Sequence, residues 1–145
     1  PSTLAEEVAL AERYLAIEEL RLGERLRVAW QREEPLPWSL PMPRLVLQPL
    51  LENAVLHDGI SRLPAGGAVE IALRRDGDML AVDVRNPAPP PREQDQFAAG
   101  AGHAQGNVGQ RLAYAFGKRA RMAAGWDGGY YQAGFRVPLD GGASR

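Results

Sequence analysis

Leu47-Gln48-Pro49-Leu50-Leu51-Glu52-Asn53-Ala54-Val55-Leu56-His57 is the stretch on which the fold turns. At about 100° per residue, Leu47, Leu50, Leu51, Ala54 and Val55 fall within one apolar arc of about 140°, the pattern of a helix with one buried side. Asn53 and His57 lie side by side just off that arc, and Gln48 and Glu52 pair on the opposite flank. An uncharged Asn at the rim of buried surface suits an oxygen ligand for a hard cation such as Mg²⁺, which prefers oxygen donors and keeps part of its water shell. The same spacing also fits an ordinary core helix with a solvated face. Pro49 removes one backbone donor and is expected to bend the helix.

Upstream, Pro35, Pro37, Pro41 and Pro43 make a stiff connection into this helix. Before them, Leu26, Val28 and Trp30 alternate with Arg25, Arg27 and Ala29, which predicts a half-buried strand over residues 25–31. The chain opens on Thr3-Leu4-Ala5-Glu6, a capping box, followed by Leu4, Val8, Ala11 and Leu15 as a helical stripe that runs toward Leu22 and stops at Gly23. Downstream, residues 69–75 and 79–85 read as two strands joined at Asp76-Gly77-Asp78. Residues 87–106 are rich in Pro, Ala, Gly and Gln without periodicity, and are expected to form a loop. A short helix over 107–116 is ended by Gly117, and residues 120–138 supply two closing strands around Asp127-Gly128-Gly129.

Composition narrows the function classes. The 145 residues make one domain of common size, with 45% apolar and 24% charged residues, an ordinary globular balance. A formal net charge of −1 supplies no broad basic field, which argues against direct nucleic-acid binding. Without cysteine there is neither a disulfide framework nor thiolate chemistry, as expected of a cytoplasmic domain. No run reaches membrane-spanning length and Pro1 opens no signal peptide. A start without Met is expected of a piece of a longer protein, which leaves room for a membrane segment upstream.

Three motifs, in order, carry a resemblance that covers most of the chain. LQPLLENAVLH closely resembles the N box of LytS/AlgZ-type sensor histidine kinases, a branch of the GHKL ATPases, which typically reads LQPLVENAxxHG. Residues 14–26, YLAIEELRLGERL, resemble the same family's YLxIExxRxGxRL segment, and Asn107-Val108-Gly109-Gln110-Arg111-Leu112 resembles its NxxxRL helix start. The combination is specific where each motif alone is weak.

The resemblance implies a two-layer α/β sandwich, the GHKL or Bergerat fold, with a mixed, mainly antiparallel sheet covered by helices on one face. It divides the chain into a linker helix (1–23), an ATPase core (24–140) and an ATP lid (87–106). The implied cofactors are ATP and Mg²⁺. Asn53 matches the metal-coordinating Asn, Glu52 an acid that positions or polarises the attacking group, and His57 a phosphate contact. Asn86 stands where the family's adenine-binding Asp is expected, but Pro87, Ala88 and Pro89 replace the glycines of DxGxG. An Asn carbonyl accepts the adenine amine without charge assistance, at a cost on the order of 1 kcal/mol. The glycine-rich phosphate turn corresponds to Gly102-His103-Ala104-Gln105-Gly106-Asn107, with Gly102, Ala104, Gln105, Gly106 and Asn107 as nucleotide contacts. Asp58, inserted before Gly59, adds a negative charge beside the expected phosphates.

The implied activity is donation of the ATP γ-phosphoryl group to a histidine on a separate dimerisation domain, then onward to a response regulator, often of the LytTR type. Such a kinase would be a membrane-bound bacterial protein with this domain in the cytoplasm. Neither His57 nor His103 stands in a phosphoacceptor context. The alternative is a degenerate domain of the same fold that binds nucleotide weakly or not at all and serves as a docking module.

Overall fold

The computed structural model describes residues 2–57, 59–89 and 99–141, with the side chains of His57 and of residues 99–106 outside the description. Helix α1 (Leu4–Leu22) is capped by Thr3, whose hydroxyl oxygen accepts the Glu6 amide at 3.2 Å and whose O–H donates to the Glu6 carboxylate at 3.2 Å. Gly23, at φ 60°, ends it in a backbone conformation open mainly to glycine. The stripe Leu4, Val8, Ala11 and Leu15 is buried as its spacing requires.

Five strands form the main sheet: β2 (Leu26–Arg32), β4 (Gly67–Asp76), β5 (Met79–Pro87), β6 (Arg121–Asp127) and β7 (Tyr130–Pro138), in the order β2-β4-β5-β7-β6. Among the described residues only β2 and β4 pair in parallel, with Leu26 opposite Gly67 and Trp30 opposite Ile71; the other pairs are antiparallel. Both expected hairpins form. Gly77 turns β4 into β5, and Gly128 and Gly129, at φ 57° and 88°, make the two-residue turn that joins β6 to β7. Alternation along β4 and β5 sends Val69, Ile71, Leu73, Leu80, Val82 and Val84 into the core. The opposite face carries ion pairs such as Arg85–Glu70 at 3.2 Å. The helices share one core with the inward face, so the fold is the expected two-layer α/β sandwich.

The structure departs from the sequence reading in three places. Ser2–Thr3 (β1) and Pro41–Met42 (β3) pair antiparallel, so the proline-rich connection is stapled to the foot of α1 rather than merely stiff. The helix around Asn53 is α-helical only over Gln48–Glu52 (α2) and continues as a π-helical turn over Asn53–His57. Pro49 sits in its first turn, where a backbone donor would have no helical acceptor, so it starts the helix instead of bending it. Finally, the third helix (α3, Ala99–Phe116) begins well before Asn107. Residues 99–106, expected as loop, are helical against a mixed local preference: their three alanines favour helix and their three glycines oppose it, so propensity does not account for the early start. The expected lid is therefore helical at its C-terminal end, while 90–98 lie outside the described residues.

Candidate functional site

Asn53 opens the π-helical turn, its backbone N–H shared between the carbonyls of Leu50 and Pro49. Its side chain is 2% exposed, and Oδ1 is buried without a hydrogen-bond partner among the described residues. β5 packs against this turn. Leu80, Val82, Val84 and Asn86 follow one another on the inward side of β5, so the apolar row ends in a carboxamide. Asn86 is 1% exposed; Nδ2 donates to the Pro87 carbonyl at 3.0 Å, and Oδ1 again has no partner among the described residues. Two buried amide oxygens thus stand unsatisfied, each at a cost of about 1–3 kcal/mol. Buried acceptors of this kind are rare in native proteins and point to a missing partner.

Gly59 brings the two elements together. A β-carbon there would run into the Ala54 carbonyl and lie 2.8 Å from Asn86 Nδ2, so only glycine lets the chain leaving the π turn pass under the end of β5. Gly67 has a similar role on the neighbouring strand, where a β-carbon would meet Pro87 Cγ at 2.5 Å and Ile60 Cδ1 at 3.2 Å. Asp58, the inserted acid, lies outside the described residues.

The remaining sequence-derived residues are placed less centrally. Glu52 is half-buried and close enough to α1 for its charge to act on Tyr14. Burial first, and then the carboxylates of Glu18 and Glu52, push the Tyr14 phenol well above its ordinary pKa. His57 closes the π turn, and Gly102, Ala104, Gln105 and Gly106 are carried on the helical backbone of α3; their side chains lie outside the description. The phosphate turn expected at 102–107 is thus helix, whose mid-helix amides are engaged within the helix. Asn107 is exposed and lines a groove of about 390 Å³ with Pro43, Gln110, Arg111 and Tyr114, a groove that includes neither Asn53 nor Asn86. Among the described residues no three His, Asp or Glu side chains converge as a metal cluster.

Sequence reasoning missed two residues that build the support of this site. Glu7, 3% exposed, accepts the backbone amides of Leu45, Val46 and Leu47 at 3.2, 2.9 and 3.3 Å. Arg111 donates from Nη1 to the carbonyls of Arg44 and Leu45 at 3.1 and 3.0 Å. The signal for Glu7 was an acid three residues after Leu4, inside the apolar stripe. Arg111 was visible as a motif residue without a role. A second acid on that stripe, Glu18, is held by Arg21 through Nη2 at 2.6 Å and Nε at 3.3 Å.

The fold, a mixed, mainly antiparallel sheet under helices, is that of histidine kinase catalytic domains. The nucleotide-free catalytic domain of histidine kinase ThkA matches with a TM-score of 0.66 over 94% of both chains at 17% identity. The Acinetobacter baumannii histidine kinase AdeS matches with a TM-score of 0.63 over 91% of this chain and 64% of its own, at 14% identity. No family model matches the sequence. Individual relatives do: it is 37% identical over 86 residues to the sensor histidine kinase BtsS of Escherichia coli, which is 59% of this chain and 15% of that protein. It is 36% identical over 73 residues to the sensor histidine kinase YpdA of Escherichia coli, 50% of this chain and 12% of that one. The uncharacterised protein YwpD of Bacillus subtilis is 30% identical over 134 residues, 88% of this chain and 47% of YwpD. The chain therefore spans less than half the length of these relatives. It is a homologue of sensor histidine kinases with the fold of their catalytic domain.

Proposed function

We propose that the chain is the nucleotide-binding catalytic domain of a LytS/AlgZ-type sensor histidine kinase. It binds ATP with Mg²⁺ and presents the γ-phosphate to a histidine on a separate dimerisation domain of the same kinase. A response regulator, of LytTR type by the same resemblance, then receives the phosphoryl group. The domain works in the cytoplasm as part of a membrane-bound bacterial protein; among its own described residues, no helix is long and apolar enough to cross a membrane.

The observation that carries this reading is the pair of unpartnered buried oxygens, Asn53 Oδ1 and Asn86 Oδ1. Both fit the groups the fold family binds. A neutral amide oxygen is a hard donor suited to Mg²⁺, which takes few protein ligands and completes its shell with phosphate and water. The Asn86 oxygen is an acceptor suited to the adenine amine. When bound, Mg²⁺ would neutralise phosphate charge and orient the terminal phosphate. The chain's own work is positioning: Asn53 holds the metal side, Asn86 reads the base, and Gly59 lets the elements that carry them pack together. On the motif match alone, Glu52 is assigned to positioning the attacking group and His57 and Asn107 to phosphate contacts, while Gly102, Ala104, Gln105 and Gly106 lie on α3, whose backbone amides are engaged within the helix.

Displacement of a fluorescent ATP analogue tests this reading. ATP should displace it more effectively than GTP, because the Asn86 oxygen accepts from an amine and opposes the guanine carbonyl. Equal displacement by both bases would contradict the assignment of Asn86.

A second reading is a domain of this fold that binds nucleotide poorly and serves as a docking module. What favours it is the helix over 99–106, in place of a glycine turn, together with Pro87 and Pro89 in place of glycines. Failure of any nucleotide to bind at millimolar concentration with Mg²⁺ would select it.

A further inference from the structure

The turn over residues 44–47, between β3 and α2, is held from two sides by opposite charges. The Glu7 carboxylate takes the three amides of Leu45, Val46 and Leu47, and the Arg111 guanidinium takes the carbonyls of Arg44 and Leu45. Leu45 sits between them at φ 58°, a conformation costly for a side chain with a β-carbon, so the clamp maintains a strained backbone. From this turn the hydrogen bonds run directly to the candidate metal ligand. The Leu47 carbonyl accepts the amides of Leu50 and Leu51 at 3.0 and 3.2 Å, and the Leu50 carbonyl accepts the amide of Asn53.

Glu7 is also fixed to α1. Its neighbours Leu4, Val8 and Ala11 lie in the core, and the foot of α1 is tied to the same connection through Leu4 N–H to the Leu40 carbonyl at 2.9 Å and Ala5 N–H to the Trp38 carbonyl at 3.0 Å. A rigid-body shift of α1 carries the carboxylate with it and pulls on the turn that starts α2. Among the described residues the hydrogen-bond partners of this buried acid are backbone amides, so it acts on backbone placement rather than on a side-chain cation.

We propose that Glu7 is a positioning residue for Asn53, through which helix α1 sets how well the nucleotide site uses magnesium. This rests on the nucleotide site proposed above and adds a regulatory input to it. A glutamine at this position keeps the shape but replaces one acceptor oxygen by an N–H₂ donor, which confronts a backbone amide instead of accepting from it.

Titration of ATP with and without Mg²⁺ is compared in the wild-type chain, Glu7→Gln, Arg111→Gln and the solvent-face control Glu19→Gln. Glu7→Gln should lower the magnesium-dependent gain in affinity by about fivefold to tenfold, with magnesium-free affinity changed less than about twofold. Arg111→Gln, on the exposed side of the same turn, should reduce the gain in the same direction and serves if Glu7→Gln does not fold. Glu19→Gln should change neither. A purely structural role would lower affinity equally with and without the metal, or only the melting temperature, and either result overturns the proposal. The ¹⁵N-labelled chain gives a readout free of nucleotide: the Asn53 side-chain amide resonance should shift in Glu7→Gln and not in Glu19→Gln. A wild-type chain without any magnesium gain would overturn the nucleotide site itself, and an unmoved Asn53 resonance would overturn the positioning role.

Discussion

Gly59 lies beneath Asn86 so closely that a β-carbon on the glycine would stand 2.8 Å from the Asn86 side-chain nitrogen and inside the Ala54 carbonyl. The contact packs the chain leaving the turn of Asn53 against the end of β5, the strand that carries Asn86. Gly59→Ala should therefore destabilise the chain by about 2–3 kcal/mol, the scale of overpacking in a closed site. Urea unfolding measures it; a midpoint within error of wild type would show that the turn yields without cost.

Replacing Asn86 by Asp should separate stability from specificity. The variant loses the bond to the Pro87 carbonyl at 3.0 Å and sets a buried carboxylate against that oxygen. Stability should fall by about 1–3 kcal/mol. Preference for ATP over GTP should nevertheless rise, because the acceptor for the adenine amine gains charge assistance. Unfolding curves and a two-nucleotide titration read the two effects. Loss of stability with unchanged base preference would mean that Asn86 does not face the base.

Leu45, at φ 58°, offers a local test of the clamp on residues 44–47. Leu45→Gly and Leu45→Ala remove nearly the same side chain, which is 41% exposed, but only glycine relieves the backbone. Leu45→Gly should be more stable than Leu45→Ala by about 1 kcal/mol. The reverse order in thermal unfolding would show that the positive φ costs nothing.

Much of the fold was legible because its signals are local. Thr3 and Glu6 announced the start of α1, the glycines at 77 and 128–129 announced both hairpins, and alternation in β4 and β5 announced the inward face. What escaped depends on partners distant in sequence. The two-residue strands β1 and β3 have no periodicity of their own and exist only as a pair. The π turn after Glu52 leaves no mark on hydrophobic spacing, and the early start of α3 is marked neither by an apolar stripe nor by propensity, since Gly100, Gly102 and Gly106 offset the alanines there. For the site, Asn53 was placed at the rim of the buried arc, and the structure buries it almost completely. Glu7 was visible only as an acid in an apolar stripe, since the amide that makes it useful lies 39 residues away at Val46.

Incubated alone with labelled ATP, the chain should stay unlabelled. Its two histidines, His57 and His103, lie in the π turn and in α3, not on a helix with a phosphoacceptor motif. Acid-labile label on either histidine would show that the acceptor lies within this domain, contrary to the two-domain transfer proposed.

The central claim is a magnesium-dependent nucleotide site centred on Asn53, and calorimetric titration of ATP into wild type and Asn53→Ala, each with and without Mg²⁺, tests it most directly. Since Asn53 Oδ1 has no partner among the described residues, its removal should cost less than about 1 kcal/mol of stability and leave the variant folded for comparison. The wild-type chain should bind ATP in the high-micromolar to millimolar range, weakened by the missing Asp at position 86, and more tightly when Mg²⁺ is present. Asn53→Ala should bind with the same affinity whether or not the metal is there. An undiminished magnesium effect in Asn53→Ala, or none in the wild type, would contradict the account.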